Sequence, residues 1–284
     1  MEETGLEGKV LYATDLHGRT DVYNRIFGYS IEKKIPSIIL GGDITPWKTN
    51  YPLKIIVEMQ ADFLNNFLIP GIRKIKEEEG KEVFLMMGND DARVNYRILE
   101  DAEKNGVLRL LSMHKVNEIS GAPIIGYSFV PVSPFRLKDW EKFERSDKKI
   151  PLGCISIDSE NAITTTGKKN EGSIEEDIAK IRKMSKPEST VYVMHSPPNN
   201  TSLDISGDGS HCGSYAIREF IEKDSPYLTL HGHIHESAKL SGKSVEWIGK
   251  TASVNPGALY KEGVFSGIAV IDLFNLKKIK FIKI

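Results

Sequence analysis

Seven side chains, Asp15, His17, Asp43, Asn89, His195, His233 and His235, are imidazoles, carboxylates or an amide standing directly after short apolar runs. Imidazole and carboxylate donors without thiolate suit manganese, iron, zinc and similar divalent ions, and seven donors exceed what one ion takes from a protein. Two ions sharing one carboxylate is the simplest arrangement. His233 and His235 stand two residues apart, as do Asp15 and His17. In extended backbone such pairs point to one side and can face neighbouring ions. Random scatter would rarely put five of the seven histidines at strand ends beside Asp43 and Asn89, so the spacing speaks for a site rather than for core histidines.

The elements that must position these groups are legible as alternating patterns. Apolar runs at 10–14, 37–40, 83–87, 191–194 and 227–230 read as strands, each ending in a polar tip. Helical patterns over 20–34, 53–79, 174–184 and 215–222 separate them, the second with a kink expected at Pro70-Gly71. This alternation predicts βαβ units around a buried sheet, with ligands gathering at the carboxyl ends of the strands. Residues 123–130 read as a further strand, and runs such as 267–273 and 279–284 predict an antiparallel second sheet built from the C-terminal part. The mixed segment 131–190 reads as a variable insert that could cap the site, offering Phe135, Trp140 and Phe143 to an aromatic base, or equally as an oligomer contact or plain core.

Composition bounds the rest. The 284 residues carry 38 Lys plus Arg against 39 Asp plus Glu, with 40% hydrophobic and 27% charged residues, which fits a folded chain and a single domain over 1–284. No stretch reaches the roughly 20 apolar residues of a membrane span, and the start Met1-Glu2-Glu3-Thr4 lacks the pattern of a signal peptide, so a cytoplasmic protein without membrane partners is expected. A net charge of -1 with no local basic patch gives no general attraction for phosphate backbones, and nucleic acid is not an expected partner. Cys154 and Cys212 form neither a disulfide framework nor a Cys-x-x-Cys pair. A homo-oligomer stays open.

The order Asp-x-His at 15–17, Gly-Asp at 42–43, Gly-Asn at 88–89, His195 and Gly-His-x-His at 232–235 resembles the calcineurin-like metallophosphoesterases, over roughly residues 9 to 260. Gly213-Ser214, the run 231–236 and Val-Asn-Pro-Gly at 254–257 are similar to the bacterial and archaeal group of Icc-related predicted phosphoesterases. The resemblance implies an α/β/β/α sandwich of two packed mixed sheets flanked by helices. It places one ion on Asp15, His17 and His235, the other on Asn89, His195 and His233, with Asp43 bridging. Manganese is the first expectation, with iron, zinc, nickel or cobalt also compatible with the ligands. Such a centre activates a shared water against phosphorus, and the expected activity is a phosphodiesterase acting on a small or nucleotide-like phosphorylated substrate. A metal-binding scaffold without turnover and a nuclease are the alternatives; the filled ligand positions speak against the first and the near-neutral charge against the second.

One position departs from the pattern. The family's block is Gly-Asn-His followed by Asp or Glu, and its histidine is assigned to protonating the leaving group; this chain has Asp90 there. An aspartate near its reference pKa of about 3.9 is mostly ionised at neutral pH, so unless burial raises its pKa it is a poor general acid. Asp90 is therefore kept with Asp43 and Asn89 among the catalytic candidates, and substrates with good leaving groups, such as diesters or anhydrides, or a proton supplied by water, are expected. Around this centre, His211, Gly213 and Ser214 precede the 215–222 helix, whose backbone N–H groups could receive a phosphate; Ser214 reads equally as an ordinary N-cap. Arg19 and Arg93 follow ligand blocks and have the geometry for bidentate phosphate contacts, although a solvated helix surface is the plainer reading of each. His231 reads as a strand cap or a group orienting a ligand, Asn255 as a turn former, and His114 as a packing residue.

Overall fold

Apolar runs that precede the polar tips become the middle strands of two sheets in a computed structural model, which describes residues 8–48, 50–135, 137–145 and 172–284, with backbone pairing alone at 156–157 and 163–164. Strands β1 (Lys9–Ala13), β2 (Ser37–Gly41), β3 (Glu82–Met86) and β4 (Arg109–Leu110) run parallel. Helices α1 (Thr20–Glu32), α2 (Leu53–Phe63), α3 (Ile69–Glu79) and α4 (Tyr96–Lys104) lie between them in the chain. Strands β5 (Asn117–Ile119) and β6 (Ala122–Tyr127) open the second sheet. Two short pairs follow, β7 (Val130–Pro131) with β8 (Glu141–Lys142) and β9 (Ser156–Ile157) with β10 (Ile163–Thr164). Then come α5 (Ile174–Ile181), β11 (Val191–Met194), α6 (Tyr215–Asp224), β12 (Leu228–Leu230), α7 (Ser237–Ser241), β13 (Val245–Ile248) and β14 (Thr251–Val254). The chain closes with β15 (Leu259–Lys261), β16 (Val264–Asp272) and β17 (Lys280–Lys283).

The sheet orders are β15-β16-β1-β2-β3-β4, with β17 also paired to β16, and β13-β14-β12-β11-β6-β5. The C-terminal strands thus do not make a sheet of their own, contrary to the sequence expectation. β16 lies antiparallel on β1 in the first sheet, while β14 runs parallel to β12 in the second. A hydrophobic pattern states that a segment is a strand but not which edge receives it.

Alternation along the strands explains the layering. Val10, Tyr12, Ile39, Phe84 and Met86 of the first sheet share one apolar cluster with Ile124, Val191, Val193, Leu228, Leu230 and Val254 of the second. Their neighbours Leu11, Ala13, Ile38, Leu40, Val83 and Leu85 face outward onto Val22, Ile26, Leu64, Leu68 and Ile72. Tyr192 and Met194 likewise meet Ile178, Ile217 and Ile221. The central strands β1, β2, β3, β11 and β12 are therefore buried on both faces almost throughout, which is why they read as continuous apolar runs. The result is the expected α/β/β/α sandwich.

Two local expectations shift. The break in the long helix is a π-helical turn at Leu64–Leu68, one turn before Pro70. A proline ring clashes with the carbonyl four residues earlier, here Asn66, and the wide turn makes room for it. Trp140 is not open to a substrate: it is buried, packs on Tyr96 and Phe129, and donates Nε1–H to the Asp91 carbonyl at 2.8 Å. Phe135, by contrast, is 54% exposed. The remainder of the expected insert between 146 and 171 lies outside the described residues, as does Cys154. Among the described residues no helix is long and apolar enough to cross a membrane.

Candidate metal centre and active site

The polar tips of β1, β2, β3, β11 and β12 meet at one end of the sandwich. Asp15, His17, Asp43 and His235 bring one ligand atom each to within 4.8 Å of one another. His17 Nε2 and His235 Nε2 are 3.2 Å apart, and His235 Nε2 lies 3.3 Å from Asp15 Oδ1. Beside them, His195 Nε2 stands 3.4 Å from Asp43 Oδ2 and 3.2 Å from Asn89 Oδ1. The His233 ring follows, its centroid 5.6 Å from that of His195. All seven predicted donors are thus gathered around Asp43.

Local backbone explains how they get there. Asp15, His17, Asp43 and His233 all adopt left-handed conformations, with φ of 57°, 44°, 48° and 66°. Such backbone costs an L-residue roughly 1–2 kcal/mol and persists only where the surroundings enforce it. Here Asp15 N–H donates to the Gly42 carbonyl at 3.0 Å, His17 N–H to Asp43 at 2.9 Å and Gly18 N–H to Ile44 at 3.1 Å. His233 N–H donates to Asp15 Oδ1 at 3.0 Å. The i, i+2 pairs therefore converge through tight turns, not through the extended backbone that their spacing suggests. A Cβ on Gly88 would press on Asp43 Oδ1 and sit 2.6 Å from His195 Nε2, so only glycine leaves room for the donors.

The donor chemistry fits divalent ions. His195 presents Nε2 to the site while its Nδ1 stands 2.9 Å from the Gly41 carbonyl, which fixes the tautomer a ligating imidazole needs. His17 turns Nε2 inward too, with Nδ1 3.8 Å from Asp90 Oδ2. Burial alone would raise Asp15 and Asp43, yet the imidazoles around them hold both carboxyls below their ordinary value. Burial opposes protonation of His195 and His235, but Asp43 and Asp15 outweigh it and push these imidazoles up to about 10 and about 9. Two buried carboxylates here demand positive charge, which metal cations satisfy once they displace those protons.

Several further residues support this centre. Burial, then the Asp43 and Asp91 carboxylates, push Asp90 up to about 8, and its side chain accepts from Asn89 Nδ2 at 3.1 Å. Asp91 was not singled out in the sequence, although it closes the Gly-Asn block. Fully buried, it accepts from Gly88 N–H at 2.8 Å, Ile44 N–H at 3.1 Å, and Thr45 N–H at 2.8 Å. Gln60 ties the same loop from α2, accepting from Ala92 N–H and donating to the Asp90 carbonyl, both at 2.8 Å. His231 is a buried structural histidine: burial takes it down to about 4, and it bonds Met194 O, Ser196 O and Thr229 Oγ1. Asn255 shares its amide among Leu203 O, Gly232 O, Ile234 O and Ser237 Oγ, fixing the loop that carries His233 and His235.

The expected phosphate contacts fare differently. Asp43, Asn89, Asp90, His233 and His235 line a cavity of about 570 Å³ that also reaches His211, Gly213, Phe135 and Tyr215. The α6 N-terminus is filled by a carboxylate of the chain itself. Glu144 accepts from Ser214 Oγ at 3.1 Å, Tyr215 N–H at 3.1 Å and Ala216 N–H at 3.0 Å, while Ser214 caps Ile217 N–H. Gly213 N–H goes to Asp204. Arg19 stacks on the Tyr260 ring at 4.1 Å, and Arg93 lines a separate cavity with Tyr96, Phe129 and Trp140. The sequence spacing placed both arginines near ligand blocks, but neither lines the cavity at the donor cluster.

Strand tips of two stacked sheets converging on imidazole and carboxylate donors define the class, a metallophosphoesterase. The chain belongs to the calcineurin-like phosphoesterase family, whose model matches residues 8–237. Its fold is shared with one solved crystal structure at a TM-score of 0.64 and 21% identity, covering 97% of this chain and 98% of that one. It is also shared with the TT1561 protein of Thermus thermophilus at a TM-score of 0.61 and 15% identity, covering 96% and 97%. No curated protein sequence matches it.

Proposed function

We propose that this phosphoester hydrolase is a binuclear phosphodiesterase acting on a small, nucleotide-like diester. The observation that supports it is the pair of donor sets flanking Asp43. Asp15, His17 and His235 lie on one side and Asn89, His195 and His233 on the other. Two divalent ions, manganese first among them, would there lower the pKa of a water and neutralise charge on the phosphoryl oxygens. Asp43 holds both positions together, and Asp90 N–H locks its Oδ1 at 2.8 Å. The exposed rings of Phe135 and Tyr215 on the cavity rim offer apolar faces to an aromatic base.

Hydrolysis of bis-p-nitrophenyl phosphate against p-nitrophenyl phosphate, with added manganese, tests this reading. The diester is expected to be the better substrate, and Asp43→Asn to lower its cleavage by roughly 10³-fold or more. A preference for the monoester would overturn the diesterase assignment. No turnover of either with two manganese ions bound would make the centre a scaffold.

A further inference from the structure

Ester hydrolysis leaves an alkoxide or phenolate that needs a proton, and the imidazoles of His17, His195 and His235 turn Nε2 into the donor cluster. Of the histidines outside that set, His231 is sealed in the core and His114 lines a different cavity. His211 lines the cleft itself. Its side chain is 38% exposed, and its Nδ1 lies 2.6 Å from Oδ1 of Asp204, a carboxylate with no exposed surface.

Asp204 is built as a fixed acceptor. It takes Thr201 N–H at 2.9 Å on Oδ1, and Asn200 N–H at 3.1 Å and Gly213 N–H at 3.0 Å on Oδ2. A carboxylate that only accepts puts a proton on the facing Nδ1, and Nε2 is the ring atom left to pass a proton to a substrate. No hydrogen bond among the described residues engages His211 Nε2. Two strand-like contacts hold the loop: Ile205 pairs with His211, and Cys212 N–H donates to the Asp204 carbonyl at 3.0 Å.

We propose that His211, oriented by Asp204, donates the proton to the leaving group. The inference rests on the hydrolase reading above. As the water oxygen bonds to phosphorus, the ester P–O bond breaks and its electron pair passes to the leaving oxygen. That oxygen takes the proton from His211 Nε2, the attacking water yields one to solvent, and the imidazole is reprotonated from solvent. The titratable groups sharing the cavity with His211 are Asp208 from its own loop, Glu236 after His235, Glu144 at the α6 N-terminus, the carboxyls of Asp43 and Asp90, and the imidazoles of His233 and His235. Asp90 then serves as a positioning residue for His17 Nδ1.

Two methyl diesters separate the roles, methyl p-nitrophenyl phosphate with a good leaving group and methyl phenyl phosphate with a poorer one. His211→Gln is expected to slow the phenyl ester by about 10²-fold or more and the nitrophenyl ester by less than about 5-fold, at unchanged metal content. Equal losses on both esters, or none, would overturn the assignment. So would a selective phenyl-ester loss in Asp90→Asn with His211→Gln unaffected, which would give the proton to Asp90. Nitrogen-15 NMR of the histidine rings reads the dyad without turnover: neutral His211 carries its proton on Nδ1, and Asp204→Asn shifts it towards Nε2. An Nε2–H tautomer in the unaltered protein would overturn the dyad whatever the kinetics. A protein inert towards both esters yet showing the Nδ1–H tautomer would sink the hydrolase reading, and the proton-donor role with it.

Discussion

On the first sheet's side of the cleft, main-chain bonds tie the loops after β1 and β2 directly together, and Asp91 gathers three amides from the loops after β2 and β3. On the second sheet's side, a main-chain bond from Gly232 N–H to the His195 carbonyl at 3.0 Å joins the loops after β11 and β12, and the side chains of His231, Asn255 and Asp204 add bonds to carbonyls and amides of those loops. Bonds also join the two sides, from Tyr12 OH to the His231 carbonyl at 2.8 Å, between His195 Nδ1 and the Gly41 carbonyl at 2.9 Å, and from His233 N–H to Asp15 Oδ1 at 3.0 Å. The difference teaches where precision is needed. The strained turns at Asp15, His17 and Asp43 place the Asp43 carboxylate among the donors, and redundant backbone bonding holds it there.

Asp91→Ala should break that comparison most severely. It strands three buried amides, and unsatisfied buried donors cost about 1–3 kcal/mol each before any void is counted. A loss of roughly 3–5 kcal/mol in urea unfolding, with metal affinity falling alongside, is expected. Stability within about 1 kcal/mol of the parent would show that the main-chain bonds alone carry this wall. Asn255→Ala should do less, because the Gly232 and Ile234 carbonyls it bonds keep other donors, Ile234 N–H and Ser237 Oγ. A cost of about 1–2 kcal/mol, with weaker binding of the ion nearer His235, is expected from the same denaturation experiment and a metal titration. A larger loss than that of Asp91→Ala would reverse the ranking of the two walls. Arg19→Ala lies outside both and should change kcat/KM by less than about 3-fold, since its guanidinium is spent on the Tyr260 ring. A tenfold rise in KM would put Arg19 back on the substrate.

Much of this site was legible because metal chemistry restricts residue type and the strand ends fix position. Asp15, His17, Asp43, Asn89, His195, His233 and His235 could be read from five short blocks. What escaped was what holds them. Asp91, Gln60 and Asp204 act on backbone groups, which leave no trace in residue type, and the partners of Asp91 and Gln60 lie on other loops. The α6 N-terminus looked open to phosphate because nothing in residues 211–214 announces that Glu144 arrives from another segment. In the fold, the runs that form β16 and β17 were visible but the sheet that receives them was not, since apolar alternation carries no address for its partner.

The central claim is that two ions sit on either side of Asp43. Diffraction from crystals soaked in manganese, recorded at the metal's absorption edge, reads this directly. The account predicts two anomalous peaks roughly 3.5–4 Å apart, one among Asp15, His17 and His235 and one among Asn89, His195 and His233. A single peak, or density away from Asp43, would contradict it.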